Sequence, residues 1–102
     1  MRLLDAADAF ADYDRATDQL LGGDPVAALG SIDRALATLP GEENLRLVRA
    51  GALLAAGATD DGLAELRALV ADRPTWEVIV RGFASRGFVT LPEGLSIDAV
   101  FA

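Results

Sequence analysis

The chain has 102 residues, 52% of them hydrophobic, and its sixteen acidic and nine basic side chains give a formal net charge of −7. A chain of this length suits a single domain, and its acidity argues against nucleic acid or an anionic membrane as partner, because no basic stripe is present to neutralise phosphates. The lack of cysteine and histidine excludes disulfides and every catalytic or metal site that depends on a thiolate or an imidazole.

The first two predicted helices are joined by a short glycine turn. Apolar side chains at three- and four-residue steps predict a helix over about residues 3–21, with aspartates on its other side. Gly22–Gly23 should end this helix, because glycine adopts the left-handed conformation at a helix C-terminus without steric cost. Asp24–Pro25 predicts the start of the second helix, since aspartate accepts hydrogen bonds from free N–H groups and proline needs no donor there. Pro40–Gly41 ends it.

The third and fourth predicted helices follow the same plan. The third covers about residues 42–56, starts with two acids that favour the positive end of the helix dipole, and closes at Gly57. Thr59 is the predicted N-cap of the fourth helix, whose apolar side chains continue until Asp72–Pro74.

The last part of the chain departs from this plan. A fifth helix is predicted from about residue 75 to residue 86, with Gly87 as its C-terminal stop. Residues 88–94 are predicted to be extended or turn-like, and Ser96 is the predicted cap of a short last helix. The tail, defined as residues 88–102, carries seven large apolar side chains: Phe88, Val89, Leu91, Leu95, Ile97, Val100 and Phe101.

Part of the sequence recurs after 34 residues, the distance from Ala16 to Ala50, and this spacing is called the period below. A fixed period of this length is typical of repeat proteins in which each unit is a helical pair that buries its apolar face on the next. The identical pairs are Ala16 and Ala50, Leu20 and Leu54, Gly23 and Gly57, Leu29 and Leu63, Ala37 and Ala71, and Pro40 and Pro74.

This pattern resembles the tetratricopeptide repeat, which has small residues at three internal positions, a glycine at the turn between its helices and a proline after the second helix. The resemblance covers about residues 9–86, two full units and one truncated helix. The matching residues are Ala16, Gly23, Ala28, Ala35 and Pro40 in the first unit, and Ala50, Gly57, Gly62, Leu69 and Pro74 in the second.

The resemblance implies an all-α fold in which antiparallel helical hairpins stack as a short solenoid, with about five helices and a short C-terminal cap. Residues 1–102 then form one domain. Its first helical pair is residues 1–40, its second pair is residues 41–74, and its capping helix and tail are residues 75–102.

No group of residues predicts catalysis. The acidic pairs Glu42–Glu43 and Asp60–Asp61 lie at helix starts, where the helix dipole explains them, and no serine or threonine has a base that could activate it. We therefore expect no enzymatic activity, cofactor or metal. Acids near the N-terminus interrupt the apolar stretch of a signal peptide, and no apolar run reaches the roughly 20 residues of a membrane span. These features predict a soluble, cytoplasmic protein or domain.

The expected function is non-catalytic protein–protein interaction, through binding of a peptide or a neighbouring domain in an apolar groove. In the tetratricopeptide family, the first helix of each unit lines the concave surface. The resemblance therefore implies partner-binding positions at Phe10, Tyr13, Thr17, Leu20 and Leu21, and at Asn44, Leu47, Gly51, Leu54 and Ala55. Trp76 is a further candidate as an interface anchor, and the alternative for Trp76 is packing at the joint between helices four and five.

Two alternatives to peptide binding in the groove give the chain a different partner. Because the groove positions carry no charge and the tail is apolar, the tail is predicted to fold back over the helices or to form a homodimer across that surface, as in a self-associating structural module. Separately, residues 66–76 and 87–92 look like the helical C-terminal extension of some uncharacterised N-terminal-nucleophile-type hydrolases, which would make the chain an accessory domain.

Overall fold

The structure, a computed structural model, describes residues 3–85 and 100–101. These residues contain five α-helices and no strand: α1 (Leu3–Leu21), α2 (Pro25–Thr38), α3 (Glu43–Ala55), α4 (Thr59–Asp72) and α5 (Trp76–Ser85). The prediction of an all-α fold is confirmed. The predicted cap at Ser96, and the tail except for Val100 and Phe101, lie outside the described residues.

The helices stack in chain order. Helix α1 contacts α2 and α3, α3 contacts α2 and α4, and α4 contacts α5. Because α3 lies between the two ends of the stack, it buries side chains on opposite sides. Its Leu45, Val48 and Ala52 belong to an N-terminal cluster that also contains Ala9, Ala16, Ala28, Ile32 and Ala35. Its Leu47, Ala50 and Leu54 belong to a C-terminal cluster that also contains Leu63, Leu66, Leu69, Val80 and Val100.

The turns after α1 and α3 have the same backbone conformation. Gly23 has a φ of 85° and Gly57 a φ of 88°, the left-handed region that glycine occupies without a β-carbon clash. The Gly23 N–H donates to the Leu20 carbonyl over 3.2 Å, and the residue after it donates to the Gln19 carbonyl over 2.9 Å. The same two bonds recur one period later, from Gly57 to Leu54 and from Ala58 to Leu53. Both are Schellman C-caps.

The ends of α2 and α4 are related in the same way. The Leu39 N–H donates to the Ala35 carbonyl, and the Arg73 N–H donates to the Leu69 carbonyl, each over 2.9 Å. The next helix starts with a further bond, from Glu42 to Leu39 in the first case and from Trp76 to Arg73 in the second. The period seen in the sequence is therefore present in the backbone hydrogen bonds.

The predicted cap of α4 is wrong by one residue. Ala58 is the N-cap, no side chain caps this end, and Thr59 is already helical. The reason is the preceding turn, because the Ala58 N–H completes the Schellman bonds and fixes where α4 can start. The corresponding residue of the first unit is Asp24, whose Oδ1 accepts a hydrogen bond from the Ala27 N–H over 3.2 Å, as predicted.

Helix α5 does not repeat the packing of α3. Leu45 of α3 is fully buried, yet Ile79, one period later, is 41% exposed. Val80 is fully buried, although its counterpart Arg46 is a partly exposed ion-pairing side chain. Helix α5 therefore turns a different face to the core than α3 does, with the buried position shifted by one residue. The periodic pattern of burial ends at α4.

Candidate partner-binding surface

Among the α1 side chains whose burial is described (residues 8–21), the large exposed apolar ones, Phe10 and Leu21, lie on one side of the helix. We define the α1 strip as Phe10, Tyr13, Thr17, Leu20 and Leu21. Phe10 is 52% and Leu21 is 63% exposed, and the other three are half-buried. Tyr13 and Leu20 pack against the N-terminal cluster. The strip therefore combines side chains that contact the core, Tyr13 and Leu20, with exposed ones, Phe10 and Leu21.

Helical spacing explains this difference in exposure. Phe10, Thr17 and Leu21 are seven and four residues apart, so they form one line along the helix. Tyr13 and Leu20 lie between this line and the fully buried Ala16. The Thr17 hydroxyl donates to the Tyr13 carbonyl over 3.0 Å, so its hydrogen bond is made within α1.

An acidic edge borders the strip. Asp14 and Asp18 are exposed and follow Phe10 at steps of four residues, which places them beside the strip. Among the described residues neither forms an ion pair, whereas Asp12 pairs with Arg15 at 2.9 Å and Arg34 at 3.6 Å. The border of the strip therefore carries negative charge that no described cation offsets.

The acidic edge also shows that α1 is unsuited to receive another stacked helical pair. The α3 side chains that pack against the first helical pair are Leu45, Val48 and Ala52, all buried. One period earlier, these positions of α1 hold Ala11, Asp14 and Asp18, all exposed.

The predicted positions on α3 are mostly in the core. Leu47 and Leu54 are only 5% and 6% exposed, because they pack in the C-terminal cluster with side chains of α4 and α5. Gly51 is also buried, whereas Asn44 and Ala55 are exposed. The structure corrects the predicted surface position of Leu47 and Leu54: they are core residues, out of reach of a partner in this fold.

Trp76 is half-buried at the start of α5 and packs against the C-terminal cluster. This position corresponds to the alternative given for Trp76, packing at the joint between α4 and α5. Its indole is not part of the α1 strip.

The two described tail residues lie against α4 and α5. Val100 is 2% exposed and belongs to the C-terminal cluster. Arg67 of α4 donates from Nε to the Val100 carbonyl over 2.9 Å, and the Arg81 guanidinium of α5 lies 5.8 Å from the centre of the Phe101 ring. Sequence reasoning singled out the apolar tail but missed Arg67 and Arg81, because no local pattern links them to it.

A second group that sequence reasoning missed joins three helices through charge. Arg49 of α3 donates from Nε to Asp33 of α2 over 2.9 Å and from Nη1 to Glu65 of α4. The hydrogen bond with Asp33, reinforced by the charges of Asp33 and Glu65, raises the pKa of Arg49 above the ordinary arginine value, although burial acts in the opposite direction. The guanidinium therefore joins α2, α3 and α4 through two charge-assisted hydrogen bonds.

An open cavity of about 510 Å³ adjoins this group, lined by Arg49, Asp61, Ala64, Glu65 and Ala68. Its one cation is already paired, so the cavity offers no free positive charge to a ligand. In the part of the chain that the structure describes, no three acidic residues lie close enough to hold a metal ion. No described helix has both the length and the apolar character needed to cross a membrane.

Comparisons with known protein families, curated proteins and solved structures find no match to the chain. The inference of function therefore depends on the surfaces described above.

Proposed function

We propose that the chain is a non-catalytic protein-interaction module that binds an apolar segment of another polypeptide, or of a neighbouring domain, on the α1 strip. The observation that carries this proposal is the exposure of Phe10 and Leu21 on one line of α1, beside side chains that reach the core. Exposed apolar patches with a polar border mark interaction sites, and an aromatic side chain is a frequent anchor of binding energy.

The charges around the strip define the partner further. Asp14 and Asp18 border it, and the whole chain has a net charge of −7. Complementary charge speeds association and suppresses wrong partners. The partner segment should therefore combine apolar anchors with flanking lysine or arginine side chains.

The recurrence of the same backbone hydrogen bonds one period apart supports a tetratricopeptide-like arrangement for the two helical pairs. In that family the first helix of a unit carries partner contacts. Here the first helix of the second pair buries Leu47 and Leu54, so we restrict the proposed surface to α1.

A binding measurement with two matched peptides tests this proposal. Both would be labelled amphipathic helices with leucines at positions i, i+3, i+7 and i+10, one flanked by lysines and the other by glutamates. Fluorescence anisotropy should show stronger binding of the lysine-flanked peptide. The double substitution Phe10→Ser and Leu21→Ser should weaken it by at least about tenfold, which corresponds to about 1.4 kcal/mol.

The control for this measurement is Val78→Ser. Val78 is 75% exposed on α5, away from the strip, so this change should leave affinity unaltered. Equal binding by the double variant and the parent chain would contradict the proposed surface. Equal binding of the two peptides would contradict the proposed role of the acidic edge.

Self-association through the strip is the competing interpretation. A second copy would bring its own Asp14 and Asp18 to the interface, and like charges facing each other destabilise an interface. We therefore expect a monomer in sedimentation equilibrium at low ionic strength. A dimer that is abolished by the Phe10→Ser and Leu21→Ser substitutions would instead assign the strip to homodimerisation.

A further inference from the structure

A second binding surface is defined by the tail residues that occupy it. Val100 and Phe101 are held by three different kinds of contact: burial of the valine side chain, a hydrogen bond to its main-chain carbonyl, and a guanidinium over the phenylalanine ring. We call their binding site the α4–α5 seat. Its distinguishing groups are Arg67 of α4 and Arg81 of α5.

The contacts made by the tail pair are compatible with more than one sequence. The buried Val100 position adjoins aliphatic side chains of the C-terminal cluster, so it selects an aliphatic residue by burial. The Arg67 hydrogen bond goes to a main-chain oxygen, which every residue possesses. Arg81 lies within the distance at which a cation is attracted by an aromatic face. Together these contacts select an aliphatic residue followed by an aromatic one.

The two arginines of the seat belong to helices that also contact each other. Arg81 also lies 3.8 Å from the Glu77 carboxylate one turn earlier on α5, which restrains its guanidinium. The seat continues beyond the tail pair as an open cavity of about 300 Å³, bordered by Arg67, Val70, Ala71, Glu77, Val100 and Phe101. This space adjoins Phe101 and leaves room for residues that flank a docked pair.

We propose that the α4–α5 seat is a docking site for an aliphatic–aromatic residue pair of another polypeptide, and that Val100 and Phe101 are a built-in competitor for it. This surface is separate from the α1 strip and does not depend on the function proposed there. A tethered segment competes at an effective concentration of about millimolar. An outside segment with the same contacts therefore binds weakly to the intact chain and strongly once the tail pair is displaced.

Opening the seat in the full-length chain tests the proposal. Val100→Asp places a charge in a position that is 2% exposed and should release the tail pair. The probe is a fluorescein-labelled peptide with the sequence of residues 95–102, followed by anisotropy. We expect it to bind the Val100→Asp chain at least about tenfold more tightly than the parent chain. A peptide with alanine at the positions of Val100 and Phe101 is the matched control and should not bind.

Substitutions in the seat then distinguish specific docking of the peptide from its non-specific binding to core side chains that Val100→Asp exposes. In the Val100→Asp chain, Arg67→Ala removes the carbonyl donor from an exposed position and should weaken peptide binding several-fold. Arg15→Ala, an exposed arginine of α1, should have no effect. Circular dichroism verifies that each chain remains helical. If Val100→Asp unfolds the chain, Phe101→Ala takes its place, since Phe101 is only half-buried.

Three outcomes would overturn the proposal. One is a folded, opened chain that shows no binding up to about 1 mM peptide, the effective concentration of the tethered tail. Another is binding that Arg67→Ala leaves unchanged. The third is a parent chain that exchanges its tail with a second copy. Equilibrium sedimentation would then show a dimer that the Val100→Asp substitution abolishes, and the occupant of the seat would be the tail of another copy of this chain.

Discussion

Leu54 of α3 lies directly against Gly62 of α4. A β-carbon placed on Gly62 would be 2.7 Å from Cγ of Leu54, 2.9 Å from its Cδ2 and 3.1 Å from its backbone nitrogen. The nearest of these atoms is close to the main chain and cannot swing away as the end of a long side chain could. The glycine therefore sets how closely α3 and α4 approach each other.

Replacing this glycine with alanine should destabilise the fold. Gly62→Ala adds a methyl group to a packed joint, which costs about 1–3 kcal/mol, and the better helix propensity of alanine offsets about 1 kcal/mol of that cost. Urea unfolding followed by circular dichroism measures the difference. Gly30→Ala is the matched control, because Gly30 is exposed in α2 and its nearest neighbour would be 4.0 Å away. It should stabilise the chain by about 0.5–1 kcal/mol, and an equal gain from Gly62→Ala would contradict the close approach.

The two alanines related by the period provide a second test of helix packing. Ala16 and Ala50 are both fully buried, one in each cluster. Replacing either with leucine should overpack its joint and lower the free energy of unfolding by about 1–3 kcal/mol. Ala37→Leu serves as the control, since Ala37 is exposed on α2 and should tolerate the change. Thermal melts of both buried variants that match the parent would show that these alanines are not at helix contacts.

The two glycines with positive φ allow a test of the turns. Gly23 and Gly57 have open space around a built β-carbon, so an alanine there meets no neighbour and only the backbone conformation is strained. Each substitution should cost about 1–2 kcal/mol, and the two costs should agree because the turns share their hydrogen bonds. Gly41→Ala should cost little, since Gly41 has negative φ and an open surrounding. Clearly unequal losses at Gly23 and Gly57 would mean that the turns differ in energy.

Local chemistry made the helices predictable. Apolar spacing and the residues at helix ends predicted α1 over residues 3–21, which the structure reproduces as Leu3–Leu21. The Asp24 cap and the Gly23 turn were likewise predictable, because each depends on hydrogen bonds within a few residues. The Thr59 cap was not, since its place is decided by the length of the preceding turn.

Tertiary contacts explain what the sequence could not reveal about the candidate surface. Leu47 and Leu54 were predicted to line a groove, but the way α5 and Val100 pack makes them core residues. The rotation that exposes Ile79 and buries Val80 follows from packing and not from spacing. The same holds for the hydrogen bond from the buried Ser31 hydroxyl to Gln19 Oε1 at 2.7 Å, which joins α1 and α2.

The charge group around Arg49 yields the last prediction. Arg49→Met should lower the free energy of unfolding by about 0.5–1.5 kcal/mol, because it removes charge-assisted hydrogen bonds to Asp33 and Glu65 while keeping a long apolar stem. Sodium chloride at about 1 M should reduce this loss, since salt screens partly exposed ion pairs. Arg15→Met is the control, because Arg15 pairs with Asp12 inside one helix at a more exposed position. Its loss should stay below about 0.5 kcal/mol.

The pKa of Arg49 determines how pH enters this prediction. The pKa of Arg49 in the folded state is raised above the ordinary arginine value. The stability that this shift contributes is present at every pH below the ordinary value and is lost only as pH rises through the raised pKa. Between about pH 6 and pH 9 the effect of Arg49→Met should therefore be constant. A double-mutant cycle with Glu65→Gln should give a coupling of about 0.5–1 kcal/mol. A coupling near zero at low salt would show that Arg49 does not join α3 to α4 through Glu65.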